Sequence, residues 1–115
     1  MTDYRKRIIE RRESFQREKK AALRREAEKL IRTAAKELPF RRAFLFGSVA
    51  GTRPVSVWSD IDIVVEGLPE ERYFEMIGHL RSRSRHEIDL KPLESLPQDV
   101  REEILARGII IYERE

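Results

Sequence analysis

The 115-residue sequence contains no cysteine. That absence excludes a disulfide framework, a thiolate nucleophile and any cysteine-based zinc site. Only two histidines occur, His79 and His86, too few to build a histidine metal centre. No apolar run approaches the roughly 20 residues that span a bilayer. The opening MTDYRKRIIERRE has no apolar segment of the kind a secretory leader carries. These absences point to a cytoplasmic protein with no membrane attachment. Glycine and proline are scarce, five of each, and neither occurs within residues 3–37. The length allows one core and no separate substrate lobe, so whatever the site lacks is expected from a partner.

What is abundant is charge. Asp, Glu, Lys and Arg make up 39% of the residues, against 40% hydrophobic ones, so a core is affordable and disorder is not expected. The charge is unevenly spread. Residues 1–38 carry 13 Lys and Arg against 7 Asp and Glu, whereas residues 39–115 carry 11 against 14. The net charge of +3 therefore belongs to a basic first third attached to a mildly acidic remainder.

Residues 1–38 read as one helix, rich in strong helix formers. Leu23, Ala27, Leu30, Ile31, Ala34 and Leu38 recur at helical spacing and form an apolar stripe. Ahead of Leu23 the stripe thins to Tyr4, Ile8, Phe15 and Ala22. Leu23–Leu38 is expected to pack on the chain's own domain, and the first turns to serve association. Pro39 ends the helix. Residues 39–115 read as one small α/β domain. Strands are expected at Arg41–Phe46, Asp60–Glu66, His86–Lys91 and Ile109–Tyr112. A helix over Glu70–Arg81 is expected to turn Tyr73, Phe74, Ile77 and Leu80 inward. Ser95-Leu96-Pro97-Gln98 has the spacing of a capping box with Pro97 in the first turn, opening a helix that Gly108 would cap. The expectation is a mixed sheet of about four strands flanked by helices and preceded by a long N-terminal helix.

Three carboxylates carry the chemical interest: Asp60, Asp62 and Asp89. Asp60 and Asp62 are two apart on a predicted strand and share a face. Two like charges at that spacing repel, and each loses hydration if partly buried. A divalent cation removes both costs, and Mg²⁺ prefers one or two carboxylates plus substrate phosphates. Asp89 lies on the polar face of its own strand, with Glu87 on the same face. Beside the Asp60 strand it would complete a group able to hold two metals for phosphoryl or nucleotidyl displacement. Gly47-Ser48, at the end of the first strand, offers backbone N–H groups and a hydroxyl of the kind that grips phosphate. Alone, Gly-Ser is an ordinary turn and Asp89 an exposed strand position. Their order along the chain sharpens both.

FLFGSVAGTRPVSVWSDIDIVV followed by HEIDLK resembles the minimal nucleotidyltransferase (MNT) family of the DNA polymerase β-like superfamily. The shared pattern is a hydrophobic strand, Gly-Ser, a loop, Asp-x-Asp, and a third Asp on a later strand. Here the loop from Val49 to Ser59 has eleven residues, and the likeness spans residues 40–113. The resemblance implies that Gly47 and Ser48 bind the triphosphate and that Asp60, Asp62 and Asp89 hold two Mg²⁺ ions. It implies that Asp89 also activates the attacking hydroxyl and that AMP moves from ATP to that hydroxyl. One departure is that Gly51 directly follows Ala50 where many members have a basic residue, so Arg53 is the nearest cation for the phosphates. Members often act as antitoxins that adenylylate a tyrosine of a HEPN-domain toxin. Two alternatives stand beside this: neutralisation of the partner by binding alone, and transfer to a small molecule. Tyr4, Tyr73 and Tyr112 are not assigned as acceptors.

The remaining residues read more plainly. Trp58 reads as a packing residue, with nucleobase stacking as the alternative. His79 and His86 read as surface or packing residues, and Arg81–Arg85 as a solvated helix end. The basic helix lacks interleaved aromatics, which argues against a nucleic-acid groove and for a docking arm.

Overall fold

A computed structural model describes residues 2–47 and 60–115. Helix α1 (Thr2–Ala35) leads into strand β1 (Arg42–Phe46). Strand β2 (Ile61–Glu66), helix α2 (Tyr73–Arg83), strand β3 (Ile88–Pro92), helix α3 (Gln98–Arg107) and strand β4 (Ile109–Glu113) follow. The four strands form one sheet in the order β3-β2-β1-β4. β1 is antiparallel to both β2 and β4, and β2 is parallel to β3, joined to it by the α2 crossover. The expected mixed sheet with flanking helices and a long leading helix is the fold observed.

Strand alternation divides the core in two. Ala43 and Leu45 of β1, Ile61, Ile63 and Val65 of β2, and Ile88 and Leu90 of β3 face α1 and α2. From α1 this core receives Leu23, Ala27, Leu30, Ile31 and Ala34, and just beyond it Leu38 and Phe40. The opposite face buries Phe44 and Val64 against Leu93 and Ile104, the latter from α3. Among the described residues this second cluster is small, so they cover one face of the sheet thickly and the other only partly. Every even position of β2, Asp62 included, lies on the thinly covered face.

Cross-strand pairing extends that pattern. Arg42 and Glu66 are register partners, and Arg42 Nε and a terminal guanidinium nitrogen donate to the two Glu66 carboxylate oxygens at 2.6 and 2.9 Å. The Arg42 hydrogen bond holds the Glu66 carboxyl below its usual range.

The end of α1 is held by a residue far along the chain. Arg114 donates to the carbonyls of Phe40, Ala35 and Leu38 at 2.9, 3.0 and 3.0 Å. Its guanidinium also lies near the Phe40 and Tyr112 rings. The bond to Ala35 satisfies a carbonyl of the last helical turn, and those to Leu38 and Phe40 fix the segment that leads into β1. Arg114→Ala is expected to cost about 1–2 kcal/mol, which for a domain of this size lowers the melting temperature by about 5–10 °C. Thermal unfolding followed by circular dichroism checks this.

Several local expectations are corrected. Phe74 is 81% exposed, while Met76, His79 and Leu80 are the buried residues of α2. Tyr73, Met76, Ile77 and Leu80 share the inner face of α2, and Phe74, about 100° round from Tyr73, falls outside it. The helix expected to begin at Glu70 opens with a 3₁₀ turn over Glu70–Arg72. Ser95 forms no capping box. Its hydroxyl donates to the Pro92 carbonyl at 3.2 Å, and Pro97 is the N-cap of α3, one place before the first turn. Gly108 caps α3 as expected, its N–H donating to the Ile104 carbonyl at 2.7 Å, with φ −66°. It is required by close approach, because a Cβ there would lie 2.6 Å from the Ile104 carbonyl oxygen. Both histidines sit beside glutamates of the N-terminal segment: His79 Nε2 lies 3.5 Å from Glu37, and His86 Nε2 3.5 Å from Glu26. Among the described residues, no helix is long and apolar enough to cross a membrane.

Candidate active site

The sheet brings two of the three aspartates side by side. Asp62 on β2 and Asp89 on β3 are register partners in the parallel ladder. Their neighbours Ile61, Ile63, Ile88 and Leu90 are buried in the main core. Strand alternation therefore turns both carboxylates to the thinly covered face. Asp60 precedes β2, just outside the strand, and is exposed.

The electrostatics are those of crowded like charges. The Asp62 carboxyl is pushed up to about 6, first by burial and then by the charge of Asp89, with a smaller push from Asp60. Lys91 opposes the shift. It is ion-paired with Asp89, two positions along the same face of β3. Lys91 is the site residue that sequence reasoning passed over. The signal was the continuing alternation of Glu87, Asp89 and Lys91 in HEIDLK. Glu87 is exposed and lies one residue before β3, which begins at Ile88.

Gly47 closes the other side. It directly follows β1, with φ +80°, a conformation that side-chain-bearing residues rarely adopt. A Cβ at this position would lie 2.2 Å from Asp62 Oδ2. The glycine therefore gives the Asp62 carboxylate its space, and the turn backbone passes directly over it. Ser48, Arg53 and Trp58 lie outside the described residues. Among the described residues, no group of three or more His, Asp or Glu side chains closes into a metal cage. What the sheet assembles is a pair of oxygen donors, Asp62 and Asp89, with Asp60 near enough to be felt electrostatically. Such a pair suits a hard divalent cation that takes one or two carboxylates and fills its remaining positions from substrate.

No curated protein matches this chain. Among solved structures, it resembles a chain of the MntA-HpeT toxin-antitoxin pair carrying two Asp-to-Glu changes. There the TM-score is 0.57 and the identity 22%, over 80% of this chain and 74% of the other. A toxin-antitoxin structure with AMP-PNP gives a TM-score of 0.56 and 24% identity, over 80% and 74%. A tri-AMPylated Shewanella oneidensis HEPN toxin in complex with MNT antitoxin gives 0.54 and 22%, over 83% and 73%. At these identities the likeness establishes a shared fold. Residues 28–115 match the family described as "Polymerase beta, Nucleotidyltransferase", a span that contains the whole sheet and all three aspartates. The chain belongs to the polymerase beta nucleotidyltransferase family.

Proposed function

We propose that this nucleotidyltransferase is an antitoxin that moves AMP from ATP onto a tyrosine hydroxyl of a HEPN-domain toxin, in the cytoplasm. The observation that carries the reading is the Asp62–Asp89 pair in register beneath the Gly47 turn. Support comes from structural neighbours that include a toxin-antitoxin structure with AMP-PNP and a tri-AMPylated HEPN toxin bound to an MNT antitoxin.

In this reading the toxin's hydroxyl oxygen forms a bond to the α-phosphorus of ATP. The bond from that phosphorus to the bridging oxygen breaks, and pyrophosphate leaves. Asp89 accepts the hydroxyl proton. Gly47 and Ser48 orient the triphosphate through backbone N–H groups and a hydroxyl, and Arg53 adds a cation to the phosphates. Asp60, Asp62 and Asp89 would hold Mg²⁺, two ions in the full arrangement. Bound there, Mg²⁺ supplies neutralisation of the charge that develops on the phosphates. Lys91 holds Asp89 in place by its ion pair before substrate arrives. Residues 1–38 serve as a basic helical segment whose second half completes the core, with residues 39–115 as the transfer domain.

The Lys91–Asp89 pair also favours a second reading, in which the same fold silences its partner by occlusion and the carboxylates are idle. Intact-mass measurement of a co-purified HEPN partner after incubation with ATP and Mg²⁺ separates the two. AMP-sized additions that disappear in the Asp62→Ala, Asp89→Ala double variant are the expected result. An unmodified partner that is nonetheless neutralised would favour occlusion.

A further inference from the structure

Among the described residues, the stretch of α1 ahead of Leu23 contributes nothing to the buried core, and a groove opens at the other end of the molecule. The arm is the stretch ahead of Leu23, where burial in the core begins. Tyr4 and Phe15 are 70% and 59% exposed, and with Ile8 they fall on one side of the helix. At helical spacing Arg5, Arg7, Arg11 and Arg12 flank that stripe, whereas Asp3, Glu10 and Glu13 fall on the opposite side. The stripe is thus apolar with basic margins. Two such arms side by side would set arginines against arginines, which opposes pairing of arm with arm.

The groove has the complementary character. It encloses about 740 Å³. Its apolar lining includes Leu68, Pro69, Tyr73 and Phe74, the last 81% exposed. Glu70 and Glu94 line it as well and are exposed, and no Lys or Arg is among the described residues that line it. An aromatic floor with acidic margins fits a helix presenting aromatics between arginines.

The two cannot meet within one molecule. The groove adjoins the C-terminal end of α1, where Arg72 donates to the Glu37 carbonyl at 3.2 Å. The helix is continuous from Thr2 to Ala35, so the arm's tip lies about 45 Å from that end. We propose that the basic arm of one molecule docks in the acidic groove of a second copy. Two copies exchanging arms form a closed dimer with the contact made twice. Doubling the contact brings the buried area toward the roughly 1,600 Å² of a standard stable interface. None of the three aspartates lines the groove or lies on the arm, and the proposal does not rest on the reaction.

The test is light scattering of the full chain over a concentration series, at low and high salt. The wild type is expected to double in mass with concentration and to return to monomer at high salt. The arm variant Tyr4→Glu/Phe15→Glu and the groove variant Phe74→Arg should each remain monomeric. All three substituted side chains are exposed, so unchanged melting curves serve as the folding control. An equimolar mixture of the two variants retains one intact arm and one intact groove. Native mass spectrometry should find a mixed dimer there, weaker than the wild type because it holds one contact rather than two. A wild type that stays monomeric throughout would overturn the proposal. So would a groove variant that dimerises as well as the wild type, or a variant mixture with no mixed dimer, since each places the arm against something other than the groove.

Discussion

Asp62→Asn is expected to abolish nucleotidyl transfer and at the same time to make the protein more heat-resistant at neutral pH. The loss of activity follows from removing one of the two carboxylates the sheet aligns. Stabilisation of phosphate charge through such a group is worth several kcal/mol, so a fall of at least about a thousandfold is expected. The gain in stability follows from the crowding at the site. In the folded protein Asp62 holds its proton up to about pH 6, against an ordinary value of 3.8. The folded state therefore binds more protons than the unfolded state between those values, and stability falls as pH rises through the window. Above it the full cost of an ionised, half-buried carboxylate beside Asp89 remains. Asparagine keeps the shape and removes the charge. Its advantage should be present at pH 7, shrink as pH falls through the window, and vanish below about pH 4, where both states of the wild type are protonated. Mg²⁺ should raise the melting temperature of the wild type at pH 7 and leave the variant almost unmoved. Melting curves across pH, with and without Mg²⁺, read all of this. An Asp62→Asn protein no more stable than wild type at pH 7 would contradict the charge-crowding account.

The second large effect is expected at Gly47. A Cβ there meets two obstacles. The backbone at φ +80° disfavours any L side chain, by about 1–2 kcal/mol. The added carbon would also sit 2.2 Å from Asp62 Oδ2, so the carboxylate has to swing away from its place beside Asp89. Gly47→Ala should lose activity by about a hundredfold or more, because small misplacements at a reacting centre carry penalties of that order. Gly67→Ala is the matching control. Gly67 also has positive φ, +83°, and a Cβ there would approach Arg41 at 3.1 Å. It lies at the opposite end of β2 from the aspartates. That variant should lose comparable stability and keep its rate per folded molecule. Single-turnover transfer, normalised to the folded fraction, distinguishes the two glycines.

Much of this site was legible because strand alternation is a strict rule. In IDIVVE the apolar residues at 61, 63 and 65 require a buried face. They leave Asp62 on the other face whatever the rest of the chain does. The stripe from Leu23 to Leu38 was legible for the same reason at helical period. The register between β2 and β3 was not, because pairing depends on the α2 crossover and on tertiary packing. So the direct apposition of Asp62 and Asp89 emerges only in three dimensions. Phe74 was misread because hydrophobicity suggested burial at a position that lies outside the inner stripe of Tyr73, Met76, Ile77 and Leu80. Gly108 was legible as the cap of α3, but its closeness to the Ile104 carbonyl, which leaves no space for a side chain, emerges only in three dimensions. The Lys91 ion pair needed only the next step of an alternation already noticed. The phosphate contacts expected of Ser48 and Arg53 lie outside the described residues.

The sheet order carries a consequence for how the protein is made. β1 is central, yet its partner on one side is β4, the last strand in sequence. Arg114, which ties down the end of α1, comes later still. During synthesis the long helix and the first three strands emerge while one edge of the central strand is still open, and open strand edges invite pairing with other chains. Closure of the sheet therefore waits until Ile109–Glu113 and Arg114 have left the ribosome. Nascent or prematurely terminated copies lack the finished sheet.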